Sequence, residues 1–278
     1  MRQLYDSVSV ACSKATTKAY SNSFSLGIYC LDPVLRPAIY SIYGFVRFAD
    51  EIVDTFHEHD KEKLLTEFKE ETYKAIERKI SMNPILNSFQ AVVNQYNIGR
   101  ELTDCFFKSM ETDLHIATHT TNSYSEYILG SAEVVGLMCL RVFTNNDDKL
   151  YEELKPGAMK LGAAFQKVNF LRDLRNDFQE LGRVYFPGID FRSFSEAEKK
   201  EIEKEIEIDF HQAFASIKLL PKSARLGVYV AYVYYKSLFN KIRSVPSAKI
   251  LMARVRISNR RKISLLLTSY FRHSFSLL

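Results

Sequence analysis

Two parts of this chain place a pair of aspartates, four residues apart, inside an otherwise apolar stretch. The pairs are Asp50 with Asp54 and Asp173 with Asp177. Residues four apart lie on one face of an α-helix, so each stretch predicts a helix with an acidic stripe. Because the neighbouring residues are apolar, both stripes are expected to face inward, where a carboxylate is costly unless it is paired or binds a metal. Any fold of this chain therefore has to place either a metal ion or pairing side chains beside each of the two acidic stripes.

Other polar side chains continue both stripes. Tyr43 and Arg47 precede the first pair, and Gln166 and Asn169 precede the second. Mg²⁺ typically binds one or two carboxylates together with waters and the phosphate oxygens of a substrate. Two acidic stripes across an apolar space therefore suggest a diphosphate held by Mg²⁺ over a cavity. The metal would make the diphosphate a leaving group, the cavity would shield a carbocation from water, and aromatic rings would stabilise that cation.

Glycine and proline are scarce, at 10 and 7 of 278 residues, below the usual shares of about 7% and about 5%. This composition disfavours a turn-rich all-β fold and favours long helices. We expect a single all-α domain over residues 1–278, a helical bundle around a central apolar cavity. Asp32-Pro33 is expected to start the third helix, and Ser195 to Glu198 to form a capping box. The expected helices span residues 4–19, 22–30, 33–55, 60–80, 83–95, 99–118, 123–143, 147–178, 195–220, 222–243 and 248–270.

The cysteines and the longest apolar run bear on where the chain resides. Cys12, Cys30, Cys105 and Cys139 form no Cys-x-x-Cys pair, so buried, reduced thiols are expected rather than zinc ligands. The longest apolar run is Leu226–Tyr235, well short of the about 18 residues of a membrane span. The N-terminus lacks the apolar core of a secretion signal. Together these features predict a cytoplasmic protein.

Charge is distributed unevenly along the chain. The last 69 residues contain 13 Lys or Arg and no Asp or Glu, and Arg254–Lys262 is the densest segment. A basic surface can bind phosphate, an anionic membrane or nucleic acid, or can simply balance the acidic remainder of the chain. Nucleic acid is the weakest of these because no recognised binding motif accompanies the charge. Apolar neighbours such as Ile250, Leu251 and Leu265–Leu267 favour peripheral contact with the inner face of an anionic membrane.

Five segments occur in a characteristic order along the chain. They are SNSF at Ser21–Phe24, YGFVRFADEIVD at Tyr43–Asp54, YILGSAEVVGLM at Tyr127–Met138, QKVNFLRDLRNDF at Gln166–Phe178 and RVYFP at Arg183–Pro187. In this order and spacing they resemble the squalene and phytoene synthases, over nearly the whole chain. That resemblance implies an isoprenoid-synthase fold and the head-to-head joining of two prenyl diphosphates.

The resemblance also implies roles for individual residues. Mg²⁺, or Mn²⁺ in its place, is expected to be bound by Asp50, Asp54, Asn169, Asp173 and Asp177. Catalysis is expected to involve the four aspartates together with Tyr127 and Gln166. Contacts to the substrate and its diphosphate are expected from Ser21, Ser23, Phe24, Tyr43, Arg47, Asn169, Arg172, Arg183 and Arg254. The small residues Gly130, Ala132 and Gly136 would admit either substrate or a close neighbouring helix.

The implied reaction has two steps. One prenyl diphosphate loses its diphosphate and is attacked by the second, which gives a cyclopropylmethyl diphosphate that then ionises and rearranges. The run GSAEVVGLMCLRVF is most similar to bacterial phytoene synthases. We therefore expect two geranylgeranyl diphosphates to give phytoene through prephytoene diphosphate, without a nicotinamide cofactor and with a downstream carotenoid enzyme as partner. The alternative is a C30 dehydrosqualene or squalene synthase that uses farnesyl diphosphate.

Two other classes of protein are alternatives to a prenyl diphosphate enzyme. A non-catalytic assembly subunit for a carotenoid complex would not need intact aspartate pairs. A di-metal carboxylate bundle would need Glu and Glu-x-x-His motifs, and the two acidic helices carry none. The six histidines are scattered along the chain and are expected to be surface residues.

Overall fold

The protein is built from α-helices, described here for residues 1–179, 181–189 and 193–275 of a computed structural model. Its helices are α1 Arg2–Tyr20, α2 Asn22–Tyr29, α3 Arg36–Asp54, α4 Lys61–Arg78, α5 Pro84–Gln95, α6 Arg100–His115, α7 Thr121–Ile128, a π-helical turn Leu129–Glu133, α8 Val134–Thr144, α9 Asp148–Gln179, α10 Glu196–Leu219, α11 Lys222–Arg243, α12 Ser247–Ile250 and α13 Asn259–Ser274. Within these described ranges no strand forms, and one isolated β-bridge joins Thr118 to Val184. The all-α prediction is confirmed.

Short polar residues mark several helix ends. The side chains of Asp60 and Asn83 accept hydrogen bonds from the first backbone N–H groups of α4 and α5, which have no partner within a helix. Ser195 and Glu198 form the predicted capping box at the start of α10. Asn145 ends α8 with a left-handed φ of 49°, in the loop that the sequence predicts before α9. These local signals explain why most helices begin and end where they do.

The predicted start of α3 is wrong. The helix begins at Arg36, with Pro37 in its first turn. Asp32 instead closes a preceding turn, because its carboxylate accepts a hydrogen bond of 3.0 Å from the Val34 N–H. A short polar residue next to a proline therefore formed a turn here rather than a helix N-cap.

Two other predicted helix ends are also wrong. α6 ends at His115, because the chain after it runs alongside Val184 in an extended conformation. The predicted last helix, 248–270, is divided: α12 is four residues long, and α13 starts at Asn259 with Ser258 as its N-cap. The segment between α12 and α13 is extended, and of its basic residues Arg254 reaches Asp173 on α9.

Helix α9 is the axis around which the molecule is organised. It has 32 residues and packs against the π-helical turn and α8 on one side and against α10 on the other. Two hydrophobic clusters meet along it, with Leu154 in the first and Leu171 in the second. The first cluster contains Phe45 stacked on Phe89 at 3.8 Å between ring centroids. Residues from both halves of α9 are thus fixed by separate parts of the core.

Small residues let neighbouring helices come close to the π-helical turn and α8. A Cβ on Gly130 would lie 2.5 Å from the backbone oxygen of Cys105, and one on Gly136 would lie 3.0 Å from that of Ala158. A side chain at Gly130 would collide with that backbone, and one at Gly136 would be in tight contact with it. Gly130 and Gly136 therefore serve close helix packing, and Gly136 and Ala132 also border the cavity described below.

The four cysteines are free thiols and partly buried. One helical stretch of the described residues, Thr121–Thr144, is long and apolar enough to cross a membrane by length and composition alone, with a mean hydropathy of 1.4. Half of it is buried inside the protein, as expected for a core helix. The prediction that no segment spans a membrane stays a prediction.

Candidate active site

A cavity of about 520 Å³ lies between α3 and α9 and is closed by α2, α8, α10 and α11. Most of its wall is apolar, as the sequence predicts. The larger apolar side chains of the wall are Phe24, Ile28, Leu31, Ile39, Val46, Val135, Leu140, Phe143, Leu154, Leu161, Phe165, Ile217, Leu220 and Val228. A cavity lined in this way takes an apolar ligand of considerable length.

The polarity of the wall changes along its two main helices. On α9 the lining runs from Leu154 to Asn169 and Asp173, and on α3 from Ile39 to Asp50. At a rise of 1.5 Å per residue, the lining part of α9 is about 28 Å long. The cavity is therefore a long apolar chamber with charged groups at one end.

Two arginines hold Asp173 at that charged end. The Arg172 Nε lies 3.0 Å from Asp173 Oδ1, and the Arg254 Nε lies 2.6 Å from the same oxygen. Arg254 belongs to the extended segment after α12, so a residue from the basic C-terminal part of the chain reaches the second acidic stripe. All three residues line the cavity. Such charge-assisted pairs place two guanidinium groups where an anionic ligand can reach them.

Helix α3 supplies the opposite side of the charged end. Tyr43, Arg47 and Asp50 line the cavity. Arg47 forms ion pairs with Asp50, at 3.9 Å, and with Glu51. Its guanidinium also lies 4.3 Å from the centroid of the Tyr20 ring, a cation–π contact. The Asp50 side chain is 31% exposed, and it borders the cavity.

Arg183 connects the two acidic stripes. Its Nη1 lies 2.7 Å from Asp54 Oδ1 on α3, and its backbone N–H donates to the carbonyl oxygen of Asp177 on α9 at 2.7 Å. The residue is 8% exposed. The segment after α9 therefore folds back so that one arginine touches the last residue of both predicted aspartate pairs.

Burial and mutual repulsion shift the titration of these aspartates. Burial, and then the charge of Asp54, raise the pKa of Asp50 to about 7. Burial, followed by the charges of Asp173 and Asp54, raises the pKa of Asp177 to about 8. Since Arg183 contacts both Asp54 on α3 and Asp177 on α9, the ends of the two stripes lie near each other. A bound cation would relieve this repulsion.

The described residues include no group of three or more His, Cys, Asp or Glu side chains arranged to hold a metal ion. The aspartates of α3 and α9 are therefore not a closed metal cage. Mg²⁺ needs only one or two carboxylates when water and phosphate oxygens complete its coordination. Burial, together with neighbouring carboxylates, raises the pKa of Asp50 and of Asp177, and a cation bound beside them would offset both effects. These residues fit Mg²⁺ that binds together with a diphosphate.

The amide side chains of α9 lie between the apolar and charged ends. Gln166 and Asn169 both line the cavity. The Tyr235 hydroxyl donates to Asn169 Oδ1 at 3.3 Å, and the Tyr235 ring stacks on Phe165 at 3.9 Å between centroids. Tyr235 thus holds both the amide and an aromatic part of the wall, a role that sequence reasoning missed.

The start of α2 forms another part of the wall. Ser21 is the N-cap of this helix, and its side chain accepts from the Phe24 N–H at 3.2 Å. Phe24 contacts Tyr43 with 5.2 Å between ring centroids. Ser21 and Phe24 line the cavity, whereas Ser23 is not among the lining residues. The predicted contact of Ser23 with substrate stays a prediction.

Tyr127 lies beside the cavity rather than in its wall. It is 4% exposed, and its hydroxyl donates to Asp113 Oδ2 at 2.5 Å. Asp54, Asp177 and Arg183 are also absent from the residues that line the cavity. Together these residues form a separate polar cluster adjoining the charged end, so their predicted roles in binding and catalysis stay predictions.

The prediction that all histidines lie at the surface is wrong for His119, which is 3% exposed. Its ring centroid lies 5.1 Å from that of Tyr127 and 5.5 Å from that of Tyr185. The chain after α6 folds back along Val184 and thereby carries His119 inside. Asp113 was likewise not singled out from the sequence, because an isolated acid near a helix end carries no local signal.

Solved structures identify the class of fold. The chain superposes on a dehydrosqualene synthase in complex with ligand with a TM-score of 0.82 and 22% identity, over 96% of this chain and 97% of that one. It superposes on the squalene synthase HpnC of Alicyclobacillus acidocaldarius with a TM-score of 0.72 and 20% identity, over 85% and 93% of the two chains. The fold is thus that of helical isoprenoid synthases.

The family follows from the sequence comparisons. Residues 17–261 match the squalene/phytoene synthase family, so the chain belongs to that family, whose members are of head-to-head prenyltransferase type. It is 28% identical to 4,4'-diapophytoene synthase of Staphylococcus haemolyticus over 68% of this chain and 65% of that protein. It is 31% identical to presqualene diphosphate synthase of Sinorhizobium fredii over 61% of this chain and 59% of that protein. It is 25% identical to 15-cis-phytoene synthase of Synechocystis over 83% of this chain and 75% of that protein.

Proposed function

We propose that this chain is a phytoene synthase that joins two geranylgeranyl diphosphates head to head and releases diphosphate. The observation that carries the proposal is the cavity, which is apolar over most of its length and charged at one end. A prenyl diphosphate has the same distribution of polarity. The relative that matches 83% of this chain, 15-cis-phytoene synthase of Synechocystis, supports the C20 substrate.

The residues of the charged end have separate tasks in this proposal. Arg47, Arg172 and Arg254 supply the hydrogen-bond donors that a diphosphate needs. The aspartates of the two stripes hold Mg²⁺, which when bound neutralises the diphosphate and makes it a leaving group. Phe24, Phe165 and other rings of the wall exclude water and present π faces to a cation.

A C30 enzyme that uses farnesyl diphosphate is the second candidate. It is favoured by the similarity to 4,4'-diapophytoene synthase of Staphylococcus haemolyticus and by the structural likeness to a dehydrosqualene synthase. Both candidates use the same charged end and differ in how much of the apolar chamber the substrate fills.

Purified protein incubated separately with farnesyl and geranylgeranyl diphosphate, with Mg²⁺ and without NADPH, tests the proposal. We expect phytoene from the C20 substrate and loss of turnover when a chelator removes the metal. Product from the C15 substrate alone would replace the assignment by the C30 candidate. If neither substrate released diphosphate, the protein would instead be a non-catalytic member of the family.

We further propose that α13 brings the enzyme to an anionic membrane, where its lipid substrate and product reside. Ile263, Leu267, Tyr270 and Phe271 are each more than half exposed and recur at helical spacing, which gives one apolar face. Arginine and lysine side chains flank this face, and no acid follows Asp209 in the sequence. An apolar face with a basic border is the pattern of interfacial helices. A cytoplasmic, peripheral location and a downstream carotenoid enzyme as partner belong to the same proposal.

A further inference from the structure

The carboxylate of Asp113 is enclosed by other residues of the site. Asp113 lies in the last turn of α6, and its side chain is 5% exposed. Oδ2 accepts a hydrogen bond of 2.5 Å from the Tyr127 hydroxyl and lies 3.7 Å from Nη1 of Arg183. Oδ1 accepts a longer one, 3.4 Å, from the Tyr185 hydroxyl. Three side chains from two separate parts of the chain, α7 and the segment after α9, thus converge on one acid.

Aromatic rings surround this acid and keep water away from it. The ring of Tyr185 stacks on Phe170 at 4.1 Å between centroids and lies 5.2 Å from Tyr127 and 5.5 Å from His119. A carboxylate in such surroundings is costly unless its partners compensate it. Burial raises the pKa of Asp113 to about 7, although the Arg183 charge opposes the shift. Replacement of a buried charged group by a well-packed apolar one is often neutral or stabilising, so stability alone does not account for this acid.

Asp113 is also connected to the first aspartate pair. Nη2 of Arg183 donates to the backbone carbonyl oxygen of Asp113 at 3.2 Å, while Nη1 lies 2.7 Å from Asp54 Oδ1. The guanidinium is thereby held between an acid that is 37% exposed and an acid that is buried. If Asp54 turns toward a metal, Asp113 still fixes Arg183 in place.

We infer that Asp113 is a positioning residue that orients Tyr127 and Arg183 for the reaction at the charged end of the cavity. The inference rests on the proposed function. The single proton of the Tyr127 hydroxyl goes to Asp113, so the phenol oxygen can only accept a hydrogen bond from any other group. Arg183 in turn keeps its orientation toward Asp54. Asp113 acts through both residues without touching the substrate.

The test compares Asp113→Asn with a matched control on the same helix. Asp104→Asn removes an acid that also pairs with a tyrosine, Tyr73, but does so at the surface. We expect Asp113→Asn to lower kcat by about tenfold to a hundredfold, which is the usual loss when a residue that holds a metal ligand in place is replaced. KM should change by less than about threefold, and the melting temperature should be at or above that of the wild type. Asp104→Asn should leave kcat unchanged.

A double-mutant cycle with Tyr127→Phe separates positioning from a general structural effect. If Asp113 acts through Tyr127, Asp113→Asn will cost much less in the Tyr127→Phe background than in the wild type. A normal kcat for Asp113→Asn in an otherwise active enzyme would overturn the inference while leaving the proposed function intact. Equal losses in both backgrounds, or a loss confined to KM, would also overturn it. An inactive wild type would remove the proposed function, and the inference with it.

Discussion

Arginines are the residues that a bound anion would have to redirect. Arg172 and Arg254 both pair with Asp173. In each pair the arginine donates to a carboxylate oxygen, which an oxygen of a bound diphosphate could replace. On the proposed function, Mg²⁺ bound to the aspartates would free these guanidinium groups to pair with the diphosphate. The charged end would then exchange one set of ion-pair partners for another.

Replacement of Asp177 tests the second acidic stripe. We expect Asp177→Asn to lower turnover by more than about a hundredfold, because a bound metal supplies several kcal/mol of charge stabilisation to the transition state. The variant should stay helical by circular dichroism, since it removes a carboxylate whose charged form is disfavoured by burial. The same result is expected for Asp50→Asn.

A matched control for Asp177→Asn is Asp148→Asn, at the opposite end of the same helix, where the side chain is 84% exposed. It should turn over at the wild-type rate. Near-normal turnover of Asp177→Asn, measured as diphosphate released per enzyme, would count against the proposed site.

The candidate site was predictable from the sequence where its residues share a helix. Helical spacing predicted that Asp50 shares a face with Arg47 and that Asp173 shares a face with Asn169. All four residues line the same cavity. Contacts between distant segments were not predictable in this way. Asp113 pairs with residues of α7 and of the segment after α9, and no periodicity in the sequence relates those positions. Only the fold brings them together.

At the scale of elements, α13 differs from the other long helices in how little of it is covered. Ser269 is its one fully buried residue within the described part of the chain. The helix packs on α11, which itself borders the cavity through Val228 and Tyr235. A membrane bound to the outer face of α13 would thus be separated from the cavity by one further helix.

Vesicle binding tests the role of α13. We expect the protein to co-sediment with vesicles that contain phosphatidylserine more strongly than with pure phosphatidylcholine vesicles, and less as salt increases, because the basic residues are screened. The double variant Ile263→Ser, Phe271→Ser should lose most of this binding, since it removes two exposed apolar side chains.

Met82→Ser is the matched control, because Met82 is 88% exposed in the loop between α4 and α5, outside α13. It should bind vesicles as the wild type does. Co-sedimentation that ignored lipid charge and salt would contradict the membrane proposal. If sedimentation equilibrium instead gave a dimer that the double variant abolished, the apolar face would be an interface between two copies of the chain.

The helices themselves were more predictable than their ends. Long apolar periodicity identified α9 correctly, whereas the last predicted helix proved to be two helices around an extended segment. That segment is held by tertiary contacts: Arg175 donates to the Met252 carbonyl oxygen at 2.6 Å, and Arg254 pairs with Asp173. Local propensity does not record such contacts, so it could not place the break.

At the scale of the whole molecule, three acids with raised pKa values are expected to make stability depend on pH. The pKa is raised to about 7 for Asp50 and Asp113 and to about 8 for Asp177, from an ordinary value of 3.8. The folded protein therefore holds these protons more tightly than the unfolded chain does. Their contribution to stability is fully present below pH 4 and is lost as the pH rises toward 8. We expect the melting temperature of the protein without ligand to fall between about pH 5 and pH 8.

Asp177→Asn should reduce this fall, because it removes one of the titrating groups. Asn169→Ser, which changes the same stripe without removing an acid, should leave the slope as in the wild type. Mg²⁺ with inorganic pyrophosphate should raise the melting temperature most at pH 8, where the carboxylates are free to bind metal. A melting temperature that rose steadily from pH 5 to pH 8 without ligand would contradict this account of the site.

The π-helical turn Leu129–Glu133 determines in which direction the side chains of α8 point relative to those of α7. Deleting one residue there would restore a regular helix and rotate α8 by about 100° relative to α7. Val135 and Gly136 would then leave the cavity wall, while Tyr127 stayed beside Asp113. A substitution along this stretch changes one side chain, but a change in its length would move all the cavity-lining residues of α8 out of register with Tyr127 and Asp113 in a single step.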